Sequence, residues 1–143
     1  LHWAGLVVDI SSSFTLRGTA QLNGSHCLVL LTSPYDPPYE GYYLGWLQPP
    51  ASVTTAEQAA VWIGEEVADP YPFEKATGTS STDVTVDGHD GVRVRMDVGT
   101  SGSLRQDVVV LADGGRYAFL LRPYSDWETP EPDEPVLASF RIG

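Results

Sequence analysis

The sequence predicts an α+β fold: a largely antiparallel sheet with one clear helix at about residues 55–67 and a short helical turn near the C-terminus. Three observations point to it. Short β-type runs bounded by Gly, Asn and Asp recur through both halves of the chain. One stretch, TTAEQAAVWIGEEV, carries its apolar residues at helical spacing. Beyond it, residues 84–122 read as consecutive strands joined by turn signals, which makes a meander.

Residues 6–10 and 14–16 are short β-type runs, and Asn23-Gly24 is a hairpin signal. Residues 26–31 follow as a nearly continuous apolar run, expected of a central strand. Residues 42–47 form a further strand, weakened by Gly45. Thr54 or Thr55 can cap the helix, since Glu57 and Gln58 lie three residues on from each, as a capping box requires. Ala56, Ala59, Ala60, Ile63 and Val67 then line one apolar face, and Asp69-Pro70 ends the helix.

In the second half Val84 and Val86 alternate with polar residues, and residues 87–91 make a turn. Val92, Val94, Met96 and Val98 share one face of the next strand, with Arg93, Arg95 and Asp97 on the other. Residues 104–111 and 116–122 are two more strands, joined around Asp113-Gly114-Gly115. A proline-rich loop spans 123–135, and residues 136–142 close the chain as a helical turn, a strand or both. Ile63, Val94, Met96, Val110, Phe119 and Leu121 lie on the inward faces of helix and meander, and are expected to be buried together.

The 143 residues suit a single domain with a real core. A formal net charge of −11, with Lys75 the only lysine beside scattered arginines, argues against a nucleic-acid partner. Cys27 is the only cysteine and sits in the apolar run HCLVLL, which suits a buried, inert thiol. No apolar run approaches the ~20 residues needed to span a bilayer. The chain begins at Leu1 and is read as a processed or excised fragment of an exported protein, extracellular or periplasmic. Membrane attachment would come only through an anchor removed upstream. Seven arginines against one lysine point to a high-GC bacterial genome, so Asn23-Gly24-Ser25 is a turn and not a glycan site.

VTVDGHDGVRVRMDV, DVVVLADGGRYAFLLR and PVLASFRIG together resemble the end of PsbP-like domains. That superfamily includes the photosystem II extrinsic subunit, the Ran-binding protein Mog and bacterial envelope lipoproteins. The helix, the Gly-turned hairpin, the G-x-Y strand and the closing L-x-S-F carry the resemblance, over about residues 54–143. It implies an antiparallel sheet between helices and a non-enzymatic binding or assembly role. It carries no functional residue across, because the matching positions are core and turn residues.

Catalytic patterns are thin. No G-x-S-x-G elbow and no Cys–His pattern supports a nucleophilic hydrolase. Asp83, Asp87, His89 and Asp90 crowd one hairpin, yet their spacing fits no EF-hand and reads as a polar turn. His2, His26 and His89 lack zinc spacing, and Glu65-Glu66 read as solvated helix residues. No metal site and no cofactor is expected.

Three segments combine proline, an aromatic and an acid: SPYDPPYEGYYLGW at 33–46, DPYPFE at 69–74 and RPYSDWETPEPDEP at 122–135. Proline pre-stiffens such loops, and Tyr and Trp offer large contact area with a polar tip. The same rings could instead fold back over the sheet. The candidate ligand-binding residues are therefore Tyr35, Tyr39, Tyr42, Tyr43, Trp46, Tyr124 and Trp127. The expected role is a non-catalytic extracytoplasmic module that binds a protein, peptide or small ligand. The alternatives are a carboxylate- or metal-assisted hydrolase, and a sensor domain of a larger membrane protein.

Overall fold

The computed structural model describes residues 1–10, 15–22, 25–31, 41–47, 49–67, 76–98, 104–125 and 134–143. In chain order the elements are β1 (His2–Trp3), β2 (Leu6–Val7), β3 (Thr15–Leu22), β4 (Ser25–Leu31), β5 (Gly41–Leu47) and α1 (Ala56–Val67). They continue with β6 (Ala76–Val86), β7 (His89–Val98), β8 (Leu104–Asp113), β9 (Arg116–Ser125), α2 (Glu134–Ser139) and β10 (Arg141–Ile142). Seven strands form one sheet in the order β3-β4-β5-β9-β8-β7-β6, and β1-β2-β10 form a second, small one. Every pairing is antiparallel. The α+β class is as the sequence predicts.

Two-residue turns set the register of the meander. Asp87 and Gly88 both take positive φ, 50° and 80°, which lets Val86 face His89 directly. The turn is thus tighter than the five residues expected, and β7 begins at His89. Gly114-Gly115 does the same between Asp113 and Arg116.

Other strand limits also shift. The first expected strand shrinks to Leu6–Val7, because β1 and β2 close on each other through Ala4-Gly5. β6 starts at Ala76, eight residues before the alternation of Val84 and Val86 becomes visible. Its polar run suits an edge strand, and Ser80, Ser81, Thr82 and Asp83 are all exposed. β9 continues past the expected loop boundary through Pro123. Its pairing with β5 reaches no further than Leu121, so Pro123 lies opposite β8 alone. Gly45 does not interrupt β5, which is paired there on both sides, to Cys27 and to Phe119. The Asn23-Gly24 hairpin signal and Asp69-Pro70 lie outside the described residues, although Leu22 does pair with Ser25.

The helix starts where its cap dictates. Thr55 Oγ1 accepts from the Gln58 backbone N at 3.1 Å, and Gln58 Oε1 accepts from the Thr54 backbone N at 2.8 Å. Ala59, Ala60 and Ile63 face the large sheet and are fully buried. They join Val94, Met96, Val110, Phe119 and Leu121 in one cluster, so the six residues expected to meet do so.

A second cluster covers the opposite sheet face. Leu6, Val8, Leu137 and Phe140 meet Leu44, Val109, Leu111, Ala118 and Leu120 there. The last residues therefore form both a helical turn and a strand, since α2 brings in Leu137 and β10 pairs with β2. The large sheet thus lies between α1 on one face and the small sheet with α2 on the other.

Candidate functional site

Antiparallel pairing fixes which strand ends lie together. Leu31 is opposite Gly41, Ala76 opposite Val98, and Leu104 opposite both Val98 and Ser125. These ends share one end of the large sheet; the two-residue turns occupy the other. All three Pro/aromatic segments attach at the former, at Gly41, Ala76 and Ser125. We call it the open end.

The seven candidate aromatic residues have different fates. Tyr42 is buried, 1% exposed, and sits in the cluster under the small sheet. It presents no open ring, because its position in β5 directs it onto the sheet face beside Arg122. Tyr43 alternates to the other face and packs half-buried against the α1-side cluster. Trp46 is half-buried, donates from Nε1 to the Ala4 carbonyl at 2.9 Å and carries Arg116 over its ring at 4.1 Å. It ties the β1–β2 hairpin to the sheet. Tyr35, Tyr39 and Trp127 lie outside the described residues; for Tyr124 only the β9 backbone is described.

The structure brings together a polar set that strand alternation alone does not reveal. On the small-sheet face, one row crosses four strands: Ser80 is opposite Arg95, Arg95 opposite Asp107, and Asp107 opposite Arg122. Asp107 is 1% exposed and accepts two hydrogen bonds from Arg95, 2.9 Å from Nε and 3.3 Å from Nη2. Arg93 Nη2 stands 4.0 Å from the same carboxylate. Arg122, itself only 6% exposed, lies with its guanidinium 5.5 Å from the centre of the Tyr42 ring. Burial pushes the Tyr42 phenol above its ordinary value; nearby Arg122 opposes that rise and Asp107 adds to it.

Beside this row, Ser80, Thr82, Arg93 and Arg95 line an open groove of about 330 Å³. All four side chains carry hydrogen-bond donors. Three of the chain's eight Lys and Arg residues, Arg93, Arg95 and Arg122, thereby gather in one quarter of one sheet face.

The polar hairpin that could suggest a metal site is spread out. Asp87 is at the exposed turn, Thr85 Oγ1 contacts Asp90 Oδ1 at 3.2 Å, and His89 Nδ1 lies 3.3 Å from the Ala112 carbonyl. Among the described residues no three His, Cys, Asp or Glu side chains gather as metal ligands. Among them, too, no helix is long and apolar enough to cross a membrane.

An antiparallel sheet held between α1 and a small sheet with α2 is a PsbP-like architecture. The chain is similar in structure to cyanobacterial PsbP (CyanoP) from Synechocystis sp. PCC 6803, whose solution structure superposes with a TM-score of 0.60. The match covers 100% of this chain and 95% of that one at 14% identity, so it establishes the fold. It also takes in the first fifty residues, where the sequence motifs show no likeness. No family profile and no curated protein matches the chain.

Proposed function

We propose that this chain is a non-catalytic binding module working outside the cytoplasm, and that the open end of its large sheet is the contact surface. What supports the reading is that the strand ends at Gly41, Ala76 and Ser125 lie at one end of the large sheet, β5 beside β9 and β6 at the edge, so three separate Pro/aromatic segments attach along that end. Aromatic side chains on proline-stiffened segments are the usual material of recognition surfaces. With Tyr42 and Trp46 engaged in the fold and Tyr43 half-buried, the contact set is Tyr35, Tyr39, Tyr124 and Trp127. The partner is a protein or peptide. The PsbP-like fold, hosted by the extrinsic subunit whose name it bears, accords with an assembly role.

Tyr39→Ala/Trp127→Ala tests the reading by thermal melting. Contact residues on a surface cost less than about 0.5 kcal/mol each when truncated. A loss of several kcal/mol would mean that the rings cover the core, and the contact surface would have to lie elsewhere.

A further inference from the structure

β8 buries a polar side chain on each face of the large sheet near the open end, and the two fare differently. Asp107 turns to the small-sheet side, where Arg95 donates to both of its oxygens. Its neighbour Gln106 alternates to the α1 side, directly opposite Met96 of the apolar cluster there, and is 1% exposed. Gln106 Oε1 has no hydrogen-bond partner. The residues opposite it, Met96 on β7 and Pro123 on β9, are types without a side-chain donor. A buried acceptor left unmet destabilises the chain that carries it. An apolar side chain of the same length would fill the space without that cost.

The position of Gln106 gives the cost a use. β8 begins at Leu104, so roughly 7 Å of strand separates the amide from the end of the sheet. A single side chain entering from the open end spans that distance. The surroundings select its chemistry. Val108 and Leu121 join Met96 in the α1-side cluster, and an ammonium or guanidinium would be desolvated beside them against a neutral oxygen. An amide N–H or a hydroxyl is far cheaper to bury there. Entry takes side-chain shifts at the end of the cluster, which are common when interfaces form.

We propose that Gln106 is a buried anchor of the contact surface: its Oε1 accepts a hydrogen bond from a neutral donor, an amide or a hydroxyl, that the protein or peptide partner inserts from the open end. The inference rests on the reading of that end as the contact surface. It adds a residue outside the aromatic set, and it names the chemistry of the partner group that meets it. The free chain carries the amide at a cost to its own stability, and binding recovers that cost.

The test pairs thermal melting of Gln106→Met with photo-crosslinking in the cell that produces the protein, from a photoactivatable phenylalanine analogue at Tyr39. Gln106→Met should raise the Tm by about 3 °C or more, because it removes the unmet amide and keeps the side chain's length. The same variant should lower the yield of the crosslinked adduct several-fold. Met96→Leu, a volume-conserving change directly opposite, should keep the parental yield. A Tm that falls or stays level, or a variant that does not fold, overturns the proposal, because the amide is then satisfied inside the free chain, by a buried water for example. A raised Tm with an unchanged adduct overturns it too, as does an equal loss of adduct in Met96→Leu. Those outcomes leave the contact surface standing. Absence of any adduct in the chain with Gln106 intact contradicts the contact surface itself, and the anchor falls with it.

Discussion

Where β6 turns into β7 and β8 into β9, the large sheet closes in two-residue turns and buries apolar side chains on both faces. Val92, Val110 and Phe119 face α1, while Leu44, Leu111, Ala118 and Leu120 face the small sheet. At the open end the same strands part into longer connections. All three buried polar or charged side chains among the described residues, Gln106, Asp107 and Arg122, stand there, within three residues of a strand end. Burial of polar groups costs free energy unless they are paired, so an apolar filling would make the stabler sheet. The difference teaches a division of labour: the turn end secures the fold by apolar packing, and the open end, where the contact surface is proposed, holds the buried polar and charged side chains.

The largest expected effect lies in the turn half. Phe119 is fully buried, and Phe119→Ala should lower stability by about 3–5 kcal/mol. Chemical denaturation measures it, and a melt like the parent's would remove the turn half from its anchoring role.

Asp107→Ala probes the open half and should cost about 3 kcal/mol, since it removes the buried carboxylate that holds Arg95 and stands 4.0 Å from Arg93. The partial exposure of Arg93 and Arg95 keeps the effect near the low end. If stability rose instead, the row would be held against the fold's own preference, and the contrast between the ends would sharpen.

A smaller effect appears at alkaline pH. Burial raises the Tyr42 phenol above 10.0, so the native state favours the protonated form more than the unfolded state does. Its contribution is complete below about pH 10 and is lost as pH climbs through the raised folded value. Stability measured from pH 9 upward should therefore fall, and Tyr42→Phe should flatten that part of the profile. An unchanged slope in Tyr42→Phe would mean that other groups govern the alkaline limit.

Much of this fold is legible in the sequence because its turns are short. The strand-strand register of β8 and β9 follows from Asp113-Gly114-Gly115: counting back six residues from Asp113, and forward six from Arg116, pairs Asp107 with Arg122. The α1-side core is equally visible, since alternation in β7 and helical spacing in α1 each name one apolar face. The arginine row is harder to see. Five residues separate Val98 from Leu104 in the sequence with no two-residue turn signal to count from, so nothing local shows that Arg95 meets Asp107. Asp107 is a charged residue inside the expected strand 104–111, and nothing in QDVVVL shows that it is almost wholly buried. β6 is hidden for a related reason: Ser and Thr on an exposed edge carry no apolar alternation. The β1–β2 hairpin, closed by Ala4 at a φ of 50°, lacks the usual Asn or Asp signal. Composition singles out the tyrosines, but Tyr42 and Trp46 are bound into the structure by contacts distant in sequence, with Arg122 and with Ala4.

The division between the two ends is tested most directly by site-specific photo-crosslinking in the cell that produces the protein. A photoactivatable phenylalanine analogue placed at Tyr39 or Trp127 reports on the open end. One placed at Thr85 or Asp90, both exposed beside the β6–β7 turn, reports on the turn end. The account predicts a discrete crosslinked adduct from the first pair and none from the second, with each variant melting close to the parent. Equal adducts from both ends, adducts from the turn end alone, or no adduct from any position would contradict it.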